Sequence, residues 1–348
     1  MNNRDIRSMT EEELRELLAG YGEKPYRAAQ IFGWLHAKKA VSFGEMTNIP
    51  EKLRSRLRED TELKVLQQSF CQISEKDGTR KYAWVSGSGS LIESVFMQYE
   101  YGYSACISSQ IGCRMGCRFC ASTIDGLERS LTAGEMLGQI YAMERDTGSR
   151  ITHIVIMGMG EPLDNYDNVL RFIRLICDPH GAGLSQRNIT LSTCGLVPEL
   201  RRLAAEKLQI TLALSLHAPN DELRRTLMPI ASRYTIAETL AACDDYFAAT
   251  GRRISYEYSL IKGVNDALSQ ADELGRLLSR KNCHVNLIPV NEVEERRFQG
   301  SGPAQAAAFK KQLEKYGINV TIRRKLGADI DSACGQLRRR LEGGQREV

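Results

Sequence analysis

The chain reads as an α/β protein built on a parallel sheet. Two observations predict this. From about residue 100 onward, short apolar runs rich in β-branched residues alternate with stretches of helical apolar periodicity. Polar and glycine-containing segments follow directly on those runs, where the strands of a parallel sheet present their carboxyl ends and where such folds build their sites. Six or seven parallel strands are expected, too few for a closed eight-stranded barrel. Ahead of them the pattern is different, with helices to about residue 62 and then hairpin strands.

The 348 residues suffice for one large domain and a smaller one. Hydrophobic content of 42% and charged content of 26% are ordinary for a soluble globular protein. No apolar run approaches the length that spans a bilayer, and Met1-Asn2-Asn3-Arg4-Asp5 does not begin a secretion signal. Ten cysteines without such a signal argue against a disulfide framework and for reduced thiols in the cytoplasm. A net charge of +4 is compatible with a nucleic-acid partner without requiring one.

In order, Thr10-x-x-Glu13 forms a capping box, and Leu14, Leu17 and Leu18 give the helix behind it an apolar face. Pro25 suits a first helical position, and Ala28, Ile31, Phe32 and Leu35 share the next apolar face. Ile49-Pro50 opens a third helix carrying Lys52, Arg54, Arg56 and Arg58. By itself that charge run reads as a solvated face.

From Leu63 to Tyr99 strands are expected: Lys64 to Ile73, a turn at Asp77-Gly78, Lys81 to Val85, a turn at Gly87-Ser88-Gly89-Ser90, then Leu91 to Met97. Glu93 stands among Ile92, Val95 and Phe96; a lone carboxylate in a strand usually faces solvent or pairs with a lysine. Ser104 to Ser109 forms the next strand, and Cys106 within it reads by itself as a core thiol.

Cys113-Arg114-Met115-Gly116-Cys117-Arg118-Phe119-Cys120 places three thiols in a C-x3-C-x2-C spacing. A self-sufficient metal site usually shows four ligands. Three close thiolates suit a four-iron, four-sulfur (4Fe-4S) cluster with one iron left open, or a zinc ion completed by a distant ligand.

Beyond the cysteines, Thr132-x-x-Glu135 caps a helix to about Glu144, Ile151 to Met157 is a buried strand, and Asn165 to Cys177 is helical. Further strands are expected at Asn188–Thr193, Gln209–Leu216, Arg253–Leu260, Cys283–Pro289 and Ile318–Arg323, with helices centred near Leu203, Leu240, Leu274 and Phe309. At the strand exits stand Gly158-Met159-Gly160-Glu161, Ser192, Ser215-Leu216-His217 and Asn291. Each alone fits a cap or a turn. The last strand leads to Ala333-Cys334-Gly335-Gln336-Leu337 and a charged tail.

The cysteine spacing with Phe119 before the last thiol, the flanking Gln110-Ile111-Gly112 and Ala121-Ser122-Thr123, and the Ala-Cys-Gly-Gln-Leu run together resemble the RlmN/Cfr family of radical S-adenosylmethionine (SAM) enzymes. The resemblance runs from the first helices to Leu337. It implies a partial (β/α)6 radical SAM barrel over 100–337, with an RNA-contacting helical domain over 1–62, a β-hairpin linker over 63–99 and a flexible tail over 338–348. It assigns the 4Fe-4S cluster to Cys113, Cys117 and Cys120, and SAM contacts to Gly160, Glu161, Ser192, Ser215, Leu216, His217 and Asn291. It makes Cys334 the carrier of a methyl group, Cys106 the thiol that attacks Cys334 to release product and leave a disulfide, and Glu93 the proton acceptor, a step for which Cys106 is also a candidate. SAM is used twice per turnover, once to methylate Cys334 and once as the source of a 5′-deoxyadenosyl radical.

The implied reaction is methylation of carbon 2 of an adenosine in the peptidyl-transferase centre of 23S rRNA and in the tRNA anticodon loop. An electron donor such as flavodoxin or ferredoxin is implied, and the protein is expected to be a cytoplasmic monomer. Cys120-Ala121-Ser122-Thr123, and Arg323-Arg324 followed by Gly327-x-Asp329-Ile330, resemble the carbon-2 pattern. The alternatives are a carbon-8 methyltransferase of the same rRNA and a non-catalytic RNA-binding protein holding zinc.

Overall fold

The computed structural model of the protein describes residues 4–87, 89–290, 296–324, 326–327, 329–330 and 337. Asn291 and Cys334 lie outside the described residues.

The first sixty residues close on themselves. Strand β1 (Arg4–Asp5) pairs in parallel with β2 (Thr61–Glu62). Between them run α1 (Glu11–Ala19), α2 (Tyr26–Phe32), continued by a π-turn over Gly33–Ala37, and the basic α3 (Glu51–Asp60). The capping box at Thr10 forms in full, each side chain satisfying a backbone N–H at the helix start.

A ten-stranded sheet follows. An antiparallel meander of β3 (Gln67–Ile73), β4 (Arg80–Val85) and β5 (Leu91–Tyr99) joins β6 (Gly102–Cys106). A small hairpin, β7 (Gln110–Gly112) and β8 (Leu127–Ser130), then carries the cysteine loop. After it come α4 (Ala133–Thr147), β9 (Ile151–Ile156), α5 (Tyr166–Cys177), β10 (Ile189–Thr193), α6 (Val197–Ala205), β11 (Thr211–Ser215), α7 (Asp221–Leu227) and α8 (Ile236–Thr250). The chain continues through β12 (Ile254–Leu260), α9 (Leu268–Leu278), β13 (Cys283–Pro289), α10 (Pro303–Glu314) and β14 (Asn319–Ile322).

The sheet order is β14-β13-β12-β11-β10-β9-β6-β5-β4-β3. β6 and β9 through β14 run parallel, the open barrel expected from the sequence. The stretch 63–99, expected as a hairpin linker, is instead built into this sheet: β5 pairs with β6 along Val95↔Cys106 to Tyr99↔Gly102. Sequence pattern shows that strands exist but not which edge they extend.

The helices bury apolar stripes against the outer face of the sheet. On α5, Val169, Phe172, Ile173 and Ile176 are buried, as their spacing requires. The same apolar core continues into the N-terminal helices through Leu14, Ile31, Phe32 and Leu53. Polar contacts lock the join. Asp5 accepts from Ser8 Oγ at 2.7 Å and from Thr132 Oγ1 at 2.8 Å, while Ser8 Oγ accepts from the Gly134 N–H at 2.8 Å. A side chain at Gly134 would strike the Asp5 carboxylate. Arg7, fully buried, donates to the carbonyls of Ala40 and Lys64, both at 2.8 Å. Among the described residues no helix is long and apolar enough to cross a membrane.

Candidate active site

The concave face of the sheet holds a cavity of about 590 Å3, bounded largely by residues at the carboxyl ends of the parallel strands. Cys113, Cys117 and Cys120 all line it, and so does Cys106 at the end of β6.

The cysteine loop is shaped by its own backbone. Gly112 has φ +74°, and a Cβ there would collide with the Gly126 carbonyl, the group that accepts from the Cys113 N–H at 2.8 Å. Thr123 Oγ1 donates to the carbonyls of Cys117 (3.0 Å) and Cys120 (2.9 Å), and Arg296 donates to the same hydroxyl at 3.1 Å. The Arg118 N–H reaches the Leu227 carbonyl at 2.9 Å, tying the loop to α7. Burial, and then the neighbouring Cys120, push the Cys113 thiol up to about 12; burial and the other two sulfurs push Cys117 up as well. A strongly cationic centre bound there would stabilise the thiolate form of these side chains. That donor set fits an iron–sulfur cluster, whose ligands are thiolates. Among the described residues no three His, Cys, Asp or Glu side chains converge on a single-ion site.

The segment after β9 stands on the cavity, with Gly158 and Gly160 both part of its lining. A Cβ at Gly158 would lie 2.7 Å from the Ile107 carbonyl, and one at Gly160 (φ +102°) 2.6 Å from Gln110 Cβ. These glycines thus admit the β6–β7 connection. Glu161 lines the cavity, but its buried carboxylate already accepts from the Leu163 N–H (3.1 Å) and the Cys194 N–H (2.8 Å). Burial raises its pKa.

Ser192 and Ser215 end adjacent strands with hydroxyls 3.4 Å apart, and both line the cavity. Leu216 is fully buried and its side chain is not part of the lining; only its backbone, whose N–H bonds the Glu257 carbonyl at 3.0 Å, belongs to the strand exit. His217 lines the cavity with φ +59°, a conformation unusual for a non-glycine residue. Its Nδ1 accepts from the Ser259 N–H at 3.0 Å, and its ring meets Phe119 edge-on at 5.0 Å. Burial lowers its pKa to about 3, so the ring is neutral.

Cys106 packs with Val95, Met97, Met157 and Leu326 on the inner face. Glu93 is buried further along β5, on the same strand face as Val95, Met97 and Tyr99, but does not itself line the cavity. Its carboxylate lies 2.7 Å from Lys81 Nζ, the lysine pairing that a strand carboxylate suggests.

Two residues with a place here were not singled out from the sequence. Glu257 on β12 lines the cavity, accepts from Asn286 Nδ2 (2.8 Å) and Ser255 Oγ (3.1 Å), and has its pKa raised by burial. An acid inside an otherwise apolar strand was the available signal. Arg224, fully buried on α7, donates to the carbonyls of Cys194 (2.7 Å), Ser215 (3.2 Å) and Leu216 (3.2 Å), fastening two strand exits together. No local pattern marks it.

A fold of this kind, with three thiols at the mouth of an open parallel barrel, is that of the radical SAM enzymes. A model of the radical SAM superfamily matches residues 107–274, and a model of the ribosomal RNA large subunit methyltransferase N-terminal domain matches residues 4–63. A "Probable dual-specificity RNA methyltransferase RlmN" of Lachnospira eligens is 55% identical, covering 96% of this chain and 95% of that one. The protein of the same description from Lachnoclostridium phytofermentans is 54% identical, covering 96% and 94%. A radical SAM methyltransferase from Sphaerobacter thermophilus of known crystal structure superposes with a TM-score of 0.91 at 43% identity, covering 96% of this chain and 98% of that one. The chain belongs to the RlmN family of radical SAM methyltransferases.

Proposed function

We propose that this enzyme methylates carbon 2 of adenosine in RNA, acting on 23S rRNA and on the tRNA anticodon loop. What supports the reading is that the three cluster cysteines and Cys106 open on one cavity, in a chain similar over nearly its whole length to proteins described as dual-specificity RNA methyltransferases. Cys113, Cys117 and Cys120 would hold the 4Fe-4S cluster, with SAM bound against the strand exits at Glu161, Ser192, Ser215, His217 and Asn291. Bound there, cluster and SAM supply a one-electron cleavage that yields a hydrogen-abstracting radical.

The chain's own groups do the rest. Cys334 accepts the methyl group and presents it to the adenine. Cys106, a buried thiol in a wall of Val95, Met97 and Met157, attacks Cys334 so that the carbon–sulfur bond to product breaks as the disulfide forms. Glu93 or Cys106 takes the ring proton. The apolar wall keeps water from the reacting thiols.

Treating rRNA and tRNA transcripts with reconstituted enzyme, a reductant and SAM, then separating the nucleosides by mass spectrometry, should give 2-methyladenosine. 8-Methyladenosine as the main product would overturn the carbon-2 assignment. Replacing Cys106 by Ala should trap a protein–RNA adduct; normal turnover by that variant would overturn its role.

A further inference from the structure

A pair of tyrosines begins on the wall of the active-site cavity and ends in solvent. Tyr99, the last residue of β5, lines the cavity and is half-buried. Its ring stacks on Tyr101 with centroids 4.9 Å apart and planes at 11°. Tyr101, on the tight β5–β6 turn, is 64% exposed, the highest value among the exposed large hydrophobic residues described. His153 on β9 meets its ring edge-on at 4.9 Å.

A turn position this exposed holds an aromatic ring against hydration, and the contact with Tyr99 and His153 fixes how the ring is presented. Two arginines stand on the same cavity. Arg323 and Arg324, just past β14, are exposed and line it. They share that cavity with Tyr99, the inner ring of the stack. No side-chain hydrogen bond or ion pair to either guanidinium is seen among the described residues. Flat rings with cations beside them form a surface on which a nucleobase stacks while its phosphate is neutralised.

We propose that the Tyr99–Tyr101 stack, flanked by Arg323 and Arg324, is the platform for a nucleotide of single-stranded RNA adjoining the adenosine that enters the cavity. The proposal rests on the RNA reading above. A protein surface, such as that of an electron donor, is the competing occupant. Charge alone would suit an acidic protein, but a parallel ring pair with an exposed outer face suits a base better, since every base offers a π-face.

The test measures binding of a fluorescent RNA stem-loop to the reconstituted holoenzyme by anisotropy across a salt series. Tyr101→Ala should weaken binding roughly tenfold, as loss of one stacked base implies, and Tyr101→Trp should restore it. Tyr101→Ala should leave the salt slope as in the wild type, whereas Arg324→Gln should reduce that slope by about 0.7. Thermal midpoint and iron per chain, measured alongside, show whether each variant is folded.

A folded Tyr101→Ala holoenzyme that binds RNA like wild type overturns the platform and leaves the RNA reading standing. So does a variant that keeps RNA affinity but loses reduction by flavodoxin, which would assign the face to the donor. A wild-type holoenzyme that binds neither rRNA nor tRNA stem-loops overturns the RNA reading itself.

Discussion

Lys81 Nζ lies 2.7 Å from Glu93 Oε2, across neighbouring strands of the sheet and with both side chains almost wholly withdrawn from water. Because Ala83 is the partner of Glu93 and Val95 that of Lys81, the contact runs diagonally along the inner face. Buried pairs of this kind gain little net stability, since desolvation offsets their attraction, but removing one partner is costly. The pair stands two residues along β5 from Val95 and the cavity wall.

Lys81→Met should therefore destabilise the protein by about 3–5 kcal/mol. The double variant Lys81→Met, Glu93→Leu should recover much of that loss. Urea unfolding of wild type, both single variants and the double variant gives the coupling directly; additive effects would show that the two groups do not depend on each other.

Acid should weaken the fold through His36 and His217. Burial lowers both rings to about 3, against about 6.5 in an unfolded chain. The unfolded state then binds more protons between these values, so stability is full above pH 6.5 and is lost as the pH falls toward 3. Each ring contributes a slope of about 1.4 kcal/mol per pH unit in that window. Glu161 and Glu257, raised by burial, act in the opposite sense, so the informative quantity is a difference. His36→Asn, remote from the cavity, should flatten the dependence of the urea midpoint between pH 6.5 and 4.5 relative to wild type.

Gly112→Ala tests the cysteine loop without touching a thiol. The new methyl group meets the Gly126 carbonyl, and φ +74° is unfavourable for alanine. A local cost of about 1–3 kcal/mol should open the hairpin that positions Cys113. Iron per chain after anaerobic reconstitution should fall, while the same substitution at Gly263, which has φ +70° but open space around it, should leave iron loading intact.

Removing the proposed cluster ligands gives the sharpest contrast. Cys113→Ala, Cys117→Ala or Cys120→Ala should abolish iron–sulfur absorbance. Cys177→Ala, at the far end of α5, should retain it. Retention of full absorbance by any of the first three would remove that residue from the ligand set.

What was legible in the sequence was what is local. The capping boxes at Thr10 and Thr132 lie within four residues each and form as read. The apolar run Cys283 to Pro289 is a strand with those bounds. The thiols at 113, 117 and 120 share a cavity because their spacing is set by one short loop.

Features that depend on distant partners were not legible. The Cys194 N–H that Glu161 accepts from at 2.8 Å belongs to another strand exit. A Cβ at Gly160 would meet Gln110, a residue far back in the sequence. The helix Asp221–Leu227 is too short for its periodicity to register, so buried Arg224 went unnoticed. Strand pattern likewise could not reveal that β5 continues the barrel sheet.

The join between the N-terminal helices and α4 bears on the order in which the chain can fold. Asp5 and Ser8 find their partners at Thr132 and Gly134, and His36 finds its own at Tyr141, 3.1 Å away. At synthesis rates of about 5–20 residues per second, the first sixty residues precede α4 by several seconds. During that interval the apolar faces of α1 and α2 have no barrel to cover them. The N-terminal segment is made first and completed late, and a holding chaperone would find its binding surface there.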